Sequence, residues 1–148
     1  MTPHDEELIL ELERTLPADR ERVFGAFADS DQLAQWWGPA GFEIPAVDFD
    51  PCVGGSYRIE MKPPEGDAFA LVGEFGVVEP PERLAFAFVW EQPDADDVDM
   101  VADLTFEDRG ESTRLALRQR PFKTEARREL HREGWSDTLD KLAAHVRD

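Results

Sequence analysis

The stretch "HREGWSDTLDKLAAHV", residues 131–146, is the part of the sequence that decides the fold. Its apolar residues recur at intervals of three and four, which is the period of an α-helix with one buried face. Together with the residues just before this stretch, that face is predicted to consist of Leu130, Trp135, Leu139, Leu142 and Val146. Thr124 is placed to cap the helix, which then runs for about 23 residues and roughly 34 Å. A helix of this length needs a large apolar surface to cover.

The residues upstream supply that surface as a series of strands. Apolar and polar residues alternate in them, and turns that contain glycine or proline separate one segment from the next. Such alternation is typical of an antiparallel sheet with one apolar face. The strands predicted after residue 40 cover residues 42–49, 57–61, 71–77, 84–90, 100–106 and 115–117. Pro45 lies inside the first of them and predicts an edge strand or a bulge.

The N-terminal part adds one more strand and two short helices. Leucine alternates with glutamate over residues 7–13, which predicts a strand that ends at Pro17. One helix is predicted with Asp19 in its first turn, where an acidic side chain suits the helix dipole. A second is predicted over residues 30–37, where Asp29 with Gln32 resembles a capping box and a Gly-Pro pair ends the helix. The chain is therefore predicted to be a single α+β domain over residues 1–148, with a seven-stranded antiparallel sheet covered by the long helix.

Composition and charge exclude several classes of protein. The chain has 33 acidic and 16 basic residues and a net charge of -17, which argues against binding to nucleic acid or to an anionic membrane surface. Its longest apolar run, residues 84–90, is too short to span a bilayer, and the acidic N-terminus does not resemble a signal peptide. Cys52 is the only cysteine, so no disulfide framework is expected. We predict a cytoplasmic protein.

Two adjacent tryptophans, Trp36 and Trp37, close the second predicted helix. Consecutive helix residues point about 100° apart, so the two rings cannot face one core equally. We expect Trp36 to pack beneath the sheet. Trp37 is expected at the open end of the space between sheet and long helix, where its indole N–H can contact water. An exposed Trp37 and free sheet edges would also suit a homodimer. A purely structural role for both rings stays open.

Four segments together resemble a known superfamily. They are "LPADRERVFGAFADSDQLAQWWGP" (16–39), "PCVGGSYRIEM" (51–61), "GEFGVVEPPERLAFAF" (73–88) and "HREGWSDTLDKLAAHV" (131–146). In order and spacing they resemble the SRPBCC superfamily, with its Bet v 1 or START-like helix-grip fold. Within it they are similar to the branch related to the C-terminal domain of the activator of Hsp90 ATPase. The resemblance covers residues 6–147. It implies a curved seven-stranded sheet that grips the C-terminal helix, two short helices between strands 1 and 2, and a cavity between sheet and helix.

Aromatic side chains on the faces assigned to the interior are the candidate walls of that cavity. They either fill the core or line a pocket for an apolar molecule, and the resemblance favours the pocket. The predicted apolar lining consists of Tyr57, Phe75, Phe88, Trp90, Met100 and Trp135, with Trp37 at the mouth. His131 precedes Trp135 by one helical turn, so it shares that face and is the candidate polar contact.

No motif in the sequence predicts catalysis, a metal or a cofactor. The sequence contains no HExxH, CxxC or GxSxG, and the glycine pair at 54–55 lacks the lysine and the helix of a phosphate-binding loop. The acidic run of residues 91–99 lacks the spacing of a calcium-binding loop and is expected to be solvated and mobile. We therefore predict no catalytic residues, no metal and no cofactor.

The predicted function is the binding of a small hydrophobic molecule, lipid-like or aromatic, between the sheet and the C-terminal helix. Two alternatives stay open. One is an interaction module of the Hsp90-activator type that contacts a chaperone through Trp37 and surface residues; the co-chaperone of that family carries a further N-terminal domain, for which this sequence has no room. The other, suggested by relatives in the wider superfamily, is a cyclase- or hydrolase-type enzyme that uses His131 in the same cavity.

Overall fold

The structure, a computed structural model, describes residues 8–95 and 97–147, which form seven strands and three helices. The elements along the chain are β1 (Leu8–Leu16), α1 (Arg20–Ala28), α2 (Ser30–Trp36), β2 (Glu43–Phe49), β3 (Ser56–Lys62), β4 (Phe69–Glu79), β5 (Arg83–Trp90), β6 (Met100–Asp108), β7 (Thr113–Phe122) and α3 (Glu125–Val146). This is the order predicted from the sequence, and the α+β helix-grip class is confirmed.

The seven strands form one curved antiparallel sheet in the order β1-β7-β6-β5-β4-β3-β2. Each strand from β2 to β6 pairs with the next strand in sequence, whereas β1 pairs with β7. The edges of the sheet are therefore β1 and β2, and the two short helices carry the chain from one edge to the other. Pro45 lies in the edge strand β2, whose register with β3 shifts between Glu43 and Ala46. Both features that Pro45 predicted are present.

The long helix α3 covers the inner, apolar face of the sheet. Thr124 caps it as predicted, since its hydroxyl oxygen accepts a hydrogen bond of 3.0 Å from the backbone N–H of Arg127. Its buried residues are His131, Trp135, Thr138, Leu139, Leu142 and Val146. The prediction for Leu130 is wrong, because this side chain is 55% exposed. A residue five positions before Trp135 lies about 140° around the helix, whereas His131, four positions before it, lies on the buried face.

Helices α1 and α2 each begin at an aspartate. Asp19 is the N-cap of α1, one residue earlier than the first-turn position that the sequence suggested, and accepts from the backbone N–H of Arg22 at 2.9 Å. Asp29 caps α2, and its carboxylate accepts from the backbone N–H of Gln32 at 3.5 Å, which is one half of the predicted capping box. The side chain of Gln32 does not supply the other half: its amide N–H donates to the carboxylate of Asp29, and its amide oxygen accepts from Arg22 and His145. Because the ring of Phe24 meets Phe106 with centroids 5.2 Å apart, α1 packs against β6.

One strand departs from its predicted alternation. Strict alternation along the predicted strand 71–77 places Val77 on the same face as Phe75, but the register of β4 with β5 shifts between these two residues. Beyond the shift, Val78 pairs with Leu84 and packs against the core. The cause is a bulge: β4 has one extra residue, Gly76, and an inserted residue moves the following side chains to the opposite face.

The hydrophobic core lies between the inner face of the sheet and the three helices. Its fully buried members include Leu10, Leu104, Leu139 and Leu142. No helix among the described residues has the length and apolar character needed to cross a membrane. That the whole chain, residues 1–148, is one domain stays a prediction.

Candidate functional site

A cavity of about 340 Å³ lies between α3 and the strands β3, β4 and β5. The strands contribute Met61, Phe69, Leu71, Phe88 and Trp90; the segment after α2 contributes Trp37, Gly38, Pro39 and Phe42; α3 contributes Arg127, Leu130, His131, Gly134, Trp135 and Thr138; and the loop after β5 contributes Asp94 and Asp97. Most of this lining is apolar or aromatic, and the volume is within the range of small-molecule sites. The exposed side chains of Leu130 and Asp94 mark its mouth.

Five of the eight predicted site residues line this cavity: Trp37, Phe88, Trp90, His131 and Trp135. Their rings hold one another in place by edge-on contacts. The centroids of Phe88 and Trp90 are 5.4 Å apart at 89°, and those of Trp37 and Trp135 are 5.4 Å apart at 82°. Such pairs are favourable beyond the area they bury, so the aromatic walls are preformed.

The two adjacent tryptophans differ in role, but not as predicted. Trp36 is fully buried, and its indole N–H donates to the carbonyl of Ala26 at 3.1 Å, so it belongs to the core. Trp37 lies on the cavity wall but is only 5% exposed, so the expectation that it lies at a solvent-exposed rim is wrong. α2 ends at Trp36, and the extended backbone of Trp37 turns its ring inward between Trp36 and Trp135. Trp37 therefore offers no surface for a chaperone or a second copy of the chain. A homodimer and a chaperone contact stay predictions.

Tyr57 and Phe75 lie away from the main cavity. They line a second, smaller cavity of about 30 Å³, on the other side of Trp37, which borders both. The hydroxyl of Tyr57 donates to the carbonyl of Ala87 at 2.5 Å, and burial raises the pKa of this phenol. Both rings face the interior as predicted, but they lie where neighbouring side chains leave little open space.

Met100 is buried beneath the main cavity, not on its wall. Its sulfur accepts a bond of 3.4 Å from the amide of Gln119, and the amide oxygen of Gln119 accepts one of 2.7 Å from the indole N–H of Trp135. Gln119 is completely buried. Met100 therefore supports Trp135 through Gln119, a polar residue whose buried position in β7 was not predicted from the sequence.

His131 is on the cavity wall with both ring nitrogens occupied. Nε2 lies 3.2 Å from the indole N–H of Trp90, which donates to it, and Nδ1 lies 3.0 Å from the carbonyl of Arg127. The second contact requires a proton on Nδ1, so this network assigns the neutral Nδ1–H tautomer. Burial lowers the pKa of His131 and favours the same neutral form. His131 thus orients Trp90, and its use as a base or as a direct ligand contact stays a prediction.

The lowered pKa of His131 predicts how stability depends on pH. Burial also lowers the pKa of His145, whose Nε2–H donates to the amide oxygen of Gln32. Because both imidazoles charge more readily in the unfolded chain, their contribution is complete above pH ~6.5 and is lost as the pH falls below it. We expect the melting temperature to decrease from pH 7 to pH 5.

The variant His131→Gln, whose amide oxygen can still accept from Trp90, is expected to reduce this decrease. The charged neighbours of His131 are Asp97 and Arg127, and both stay in place in the variant. Thermal unfolding by circular dichroism at several pH values measures the slope, with His145→Gln as the comparison variant. An unchanged slope in His131→Gln contradicts the assignment.

The segment that carries Trp37 is fixed to α3 by polar contacts. The ammonium group of Lys141 donates to the carbonyls of Trp37 at 3.1 Å and Pro39 at 3.4 Å. One carboxylate oxygen of Asp137 accepts from the backbone N–H of Ala40 at 3.3 Å. Partial burial lowers the pKa of Lys141. These bonds hold the edge of the cavity formed by residues 37–40 against the helix.

The acidic loop after β5 contributes to the cavity, which the sequence did not predict. Asp94 and Asp97 line the mouth, and Arg127 of α3 faces both, at 3.5 Å and 3.6 Å. The expectation of a solvated run is wrong for Asp97, whose side chain is 7% exposed. The expected mobility of the loop stays a prediction. Phe42, which immediately precedes β2, and Phe69, the first residue of β4, were also missed, although large apolar residues at those positions were a usable signal.

Other reactive groups are distant from this cavity or unsuited to chemistry. Cys52 is exposed, and a hydrogen bond to the carboxylate of Asp50 raises the pKa of its thiol, which disfavours the reactive thiolate. Among residues 8–95 and 97–147, no group of three or more His, Cys, Asp or Glu side chains is arranged to hold a metal ion.

The fold and the cavity define a helix-grip protein with an apolar internal site. The sequence matches the family model described as Activator of Hsp90 ATPase homolog 1-like protein over residues 17–147. The chain belongs to that family, as the resemblance predicted. No curated protein sequence matches the chain.

Solved structures of similar proteins share the fold. Protein CV1439 from Chromobacterium violaceum is 31% identical with a TM-score of 0.85, and the match covers 93% of this chain and 96% of that one. The AHSA1 protein from Silicibacter pomeroyi is 30% identical with a TM-score of 0.81 and the same coverage. Protein NE0264 from Nitrosomonas europaea is 26% identical with a TM-score of 0.80, and 96% of each chain is covered.

Proposed function

We propose that this protein binds one small, mainly apolar molecule in the cavity between the sheet and α3. The observation that carries the proposal is the cavity itself, about 340 Å³ lined by preformed aromatic walls. Protein interiors are close-packed, and voids larger than a water molecule are few. Transfer of an apolar molecule from water to these walls is favourable by about 25 cal/mol per Å² of apolar surface buried.

Gly134 supports a role for the open space. It lies in the interior of α3, where glycine costs about 0.5–1 kcal/mol relative to alanine. A Cβ added at this position would meet its nearest atom, Cγ of Pro39, at 3.7 Å, an ordinary van der Waals distance. Stability alone therefore favours alanine, whereas glycine keeps the wall of the cavity clear. A side chain longer than that of alanine has to extend past Pro39 into the cavity.

The variant Gly134→Leu is accordingly expected to lose binding without losing stability. The probe is N-phenyl-1-naphthylamine, a neutral molecule whose fluorescence rises in an apolar environment. We expect its affinity to fall at least about tenfold, because a leucine side chain removes several favourable contacts. The melting temperature is expected to stay at or above that of the wild type, since a glycine leaves a helix interior.

The matched control is Gly25→Leu in α1. It makes the same substitution in a helix interior, at a position where an added Cβ meets no atom within 4 Å. This variant is expected to bind the probe as the wild type does. If Gly134→Leu folds normally and still binds the probe with wild-type affinity, the probe binds elsewhere and the proposal fails.

A further inference from the structure

The cavity has one polar feature that an apolar ligand alone does not explain. Asp97 lies within the acidic loop, yet only 7% of its side-chain surface is exposed. One carboxylate oxygen, Oδ2, accepts a hydrogen bond of 2.9 Å from the backbone N–H of Asp94. This bond fixes the orientation of the carboxylate at the mouth of the cavity.

The other oxygen, Oδ1, is buried without a hydrogen-bond donor among the described residues. Its nearest ionic neighbour is Nη1 of Arg127 at 3.6 Å, beyond hydrogen-bonding distance. Buried carboxylate oxygens are almost always hydrogen-bonded, because an unmet acceptor keeps the full cost of its desolvation. Within residues 8–95 and 97–147, this oxygen therefore lacks a hydrogen-bond donor.

The charges around the cavity favour a donor over an acceptor. Among the described residues, the charged ones that line it are Asp94, Asp97 and Arg127, so two carboxylates face one guanidinium and give these three a summed charge of -1. The chain as a whole carries -17, which attracts cations and repels anions. The rings of Trp90 and Trp135 add faces on which an ammonium group is favoured.

We propose that the ligand is an apolar molecule with one hydrogen-bond donor at its end, an amine or an alcohol, and that this donor binds the carboxylate of Asp97, which lines the cavity. The inference rests on the proposed function, since the same cavity holds the apolar body of the ligand. It disfavours carboxylic acids such as fatty acids, whose charged end would face Asp97. A primary amine is the best match, because it supplies both the donor and the compensating charge.

Four probes with the same naphthalene body test this in the wild-type protein. They are 2-naphthylmethylamine, 2-naphthalenemethanol, 2-methylnaphthalene and 2-naphthoate, and dissociation constants come from shifts of the tryptophan indole N–H signals in NMR spectra. We expect the amine to bind about 10- to 100-fold more tightly than the methyl compound, which is the range for a hydrogen bond to a charged group. The alcohol is expected between them, and the naphthoate is expected to bind most weakly.

The variant Asp97→Asn tests the residue. The N–H of Asp94 still needs an acceptor, so the amide oxygen is expected to face it and the new NH₂ group to face the cavity. The amine is then expected to lose at least about tenfold in affinity while the methyl compound is unaffected. Asp99→Asn is the matched control, because it removes the same charge from an exposed residue of the same loop that does not line the cavity. It is expected to change the affinity for the amine less than about threefold, as exposed charges interact weakly.

The outcomes separate this inference from the proposed function. Equal affinities for the amine, the alcohol and the methyl compound overturn the role of Asp97 and leave the apolar site intact. Equal effects of Asp97→Asn and Asp99→Asn on the amine also overturn it. Failure of all four probes to bind overturns the proposed function and this inference together. The probe series in the wild type decides the matter even where Asp97→Asn does not fold.

Discussion

Replacing Trp135 with alanine is expected to lower the free energy of unfolding by about 5 kcal/mol, which is comparable to the whole stability of many domains. The ring is buried against Trp37 and Phe88, and its removal leaves a void that the surrounding side chains fill only in part. The substitution also leaves the oxygen of Gln119 without its donor in a fully buried place. An unmet buried acceptor costs a further ~1–3 kcal/mol.

The milder variant Trp135→Phe keeps the protein folded and isolates the hydrogen bond. It is expected to cost about 1–3 kcal/mol, because the amide oxygen of Gln119 stays buried and unpaired. The double variant Trp135→Phe with Gln119→Leu removes both polar partners and is expected to be more stable than Trp135→Phe alone. Chemical denaturation followed by circular dichroism measures Trp135→Phe, Gln119→Leu and the double variant. A double variant that loses the sum of the two single effects contradicts this account.

Replacing Gly73 with alanine is expected to destabilise the sheet by about 3 kcal/mol or more, the upper range for overpacking. A Cβ at this position would lie 2.1 Å from the carbonyl oxygen of Ala87 and 2.9 Å from Cε2 of Tyr57. Neither neighbour can move cheaply, since the first is backbone of β5 and the second is a buried ring. The missing side chain is what lets Tyr57, the partner of Gly73 in β3, reach across β4 to Ala87.

Gly76→Ala in the same strand is the control for this prediction. The nearest atom to an added Cβ at Gly76 is the oxygen of Ala85 at 3.9 Å, so the methyl group fits. We expect its effect to stay within about 1 kcal/mol, as for an ordinary exposed position. Denaturation midpoints of both variants measure the difference. If Gly73→Ala and Gly76→Ala prove equally stable, the backbone around Gly73 is not packed too closely to hold a methyl group, and the prediction fails.

The sequence predicted the fold well because its signals are local. Periods of two and of three to four residues distinguish the strands from α3, and the capping residues Asp29 and Thr124 mark helix starts within a few positions. What failed depended on neighbours distant in sequence. The bulge that turns Val78 inward instead of Val77 depends on how β4 pairs with β5.

The candidate site was predictable only in part, for the same reason. Phe88, Trp90 and Trp135 could be assigned to the interior from periodicity, but so could Tyr57 and Phe75, and periodicity does not say which end of the inner face stays open. The contribution of Asp94 and Asp97 to the cavity depends on the path of the loop after β5, which local patterns do not predict. No local signal distinguishes Asp97, which is buried, from its exposed neighbour Asp94.

The most direct test of the central claim uses the four tryptophans of the chain. Trp37, Trp90 and Trp135 line the cavity, whereas Trp36 is buried in the core nearby, so the indole N–H of Trp36 is an internal control. The measurement is a two-dimensional ¹H–¹⁵N NMR titration of the wild-type protein with 2-naphthylmethylamine. We expect the indole signals of the three lining residues to shift together and saturate, with little change at Trp36. A titration in which none of the three shifts, or in which Trp36 shifts as much as they do, contradicts ligand binding in this cavity.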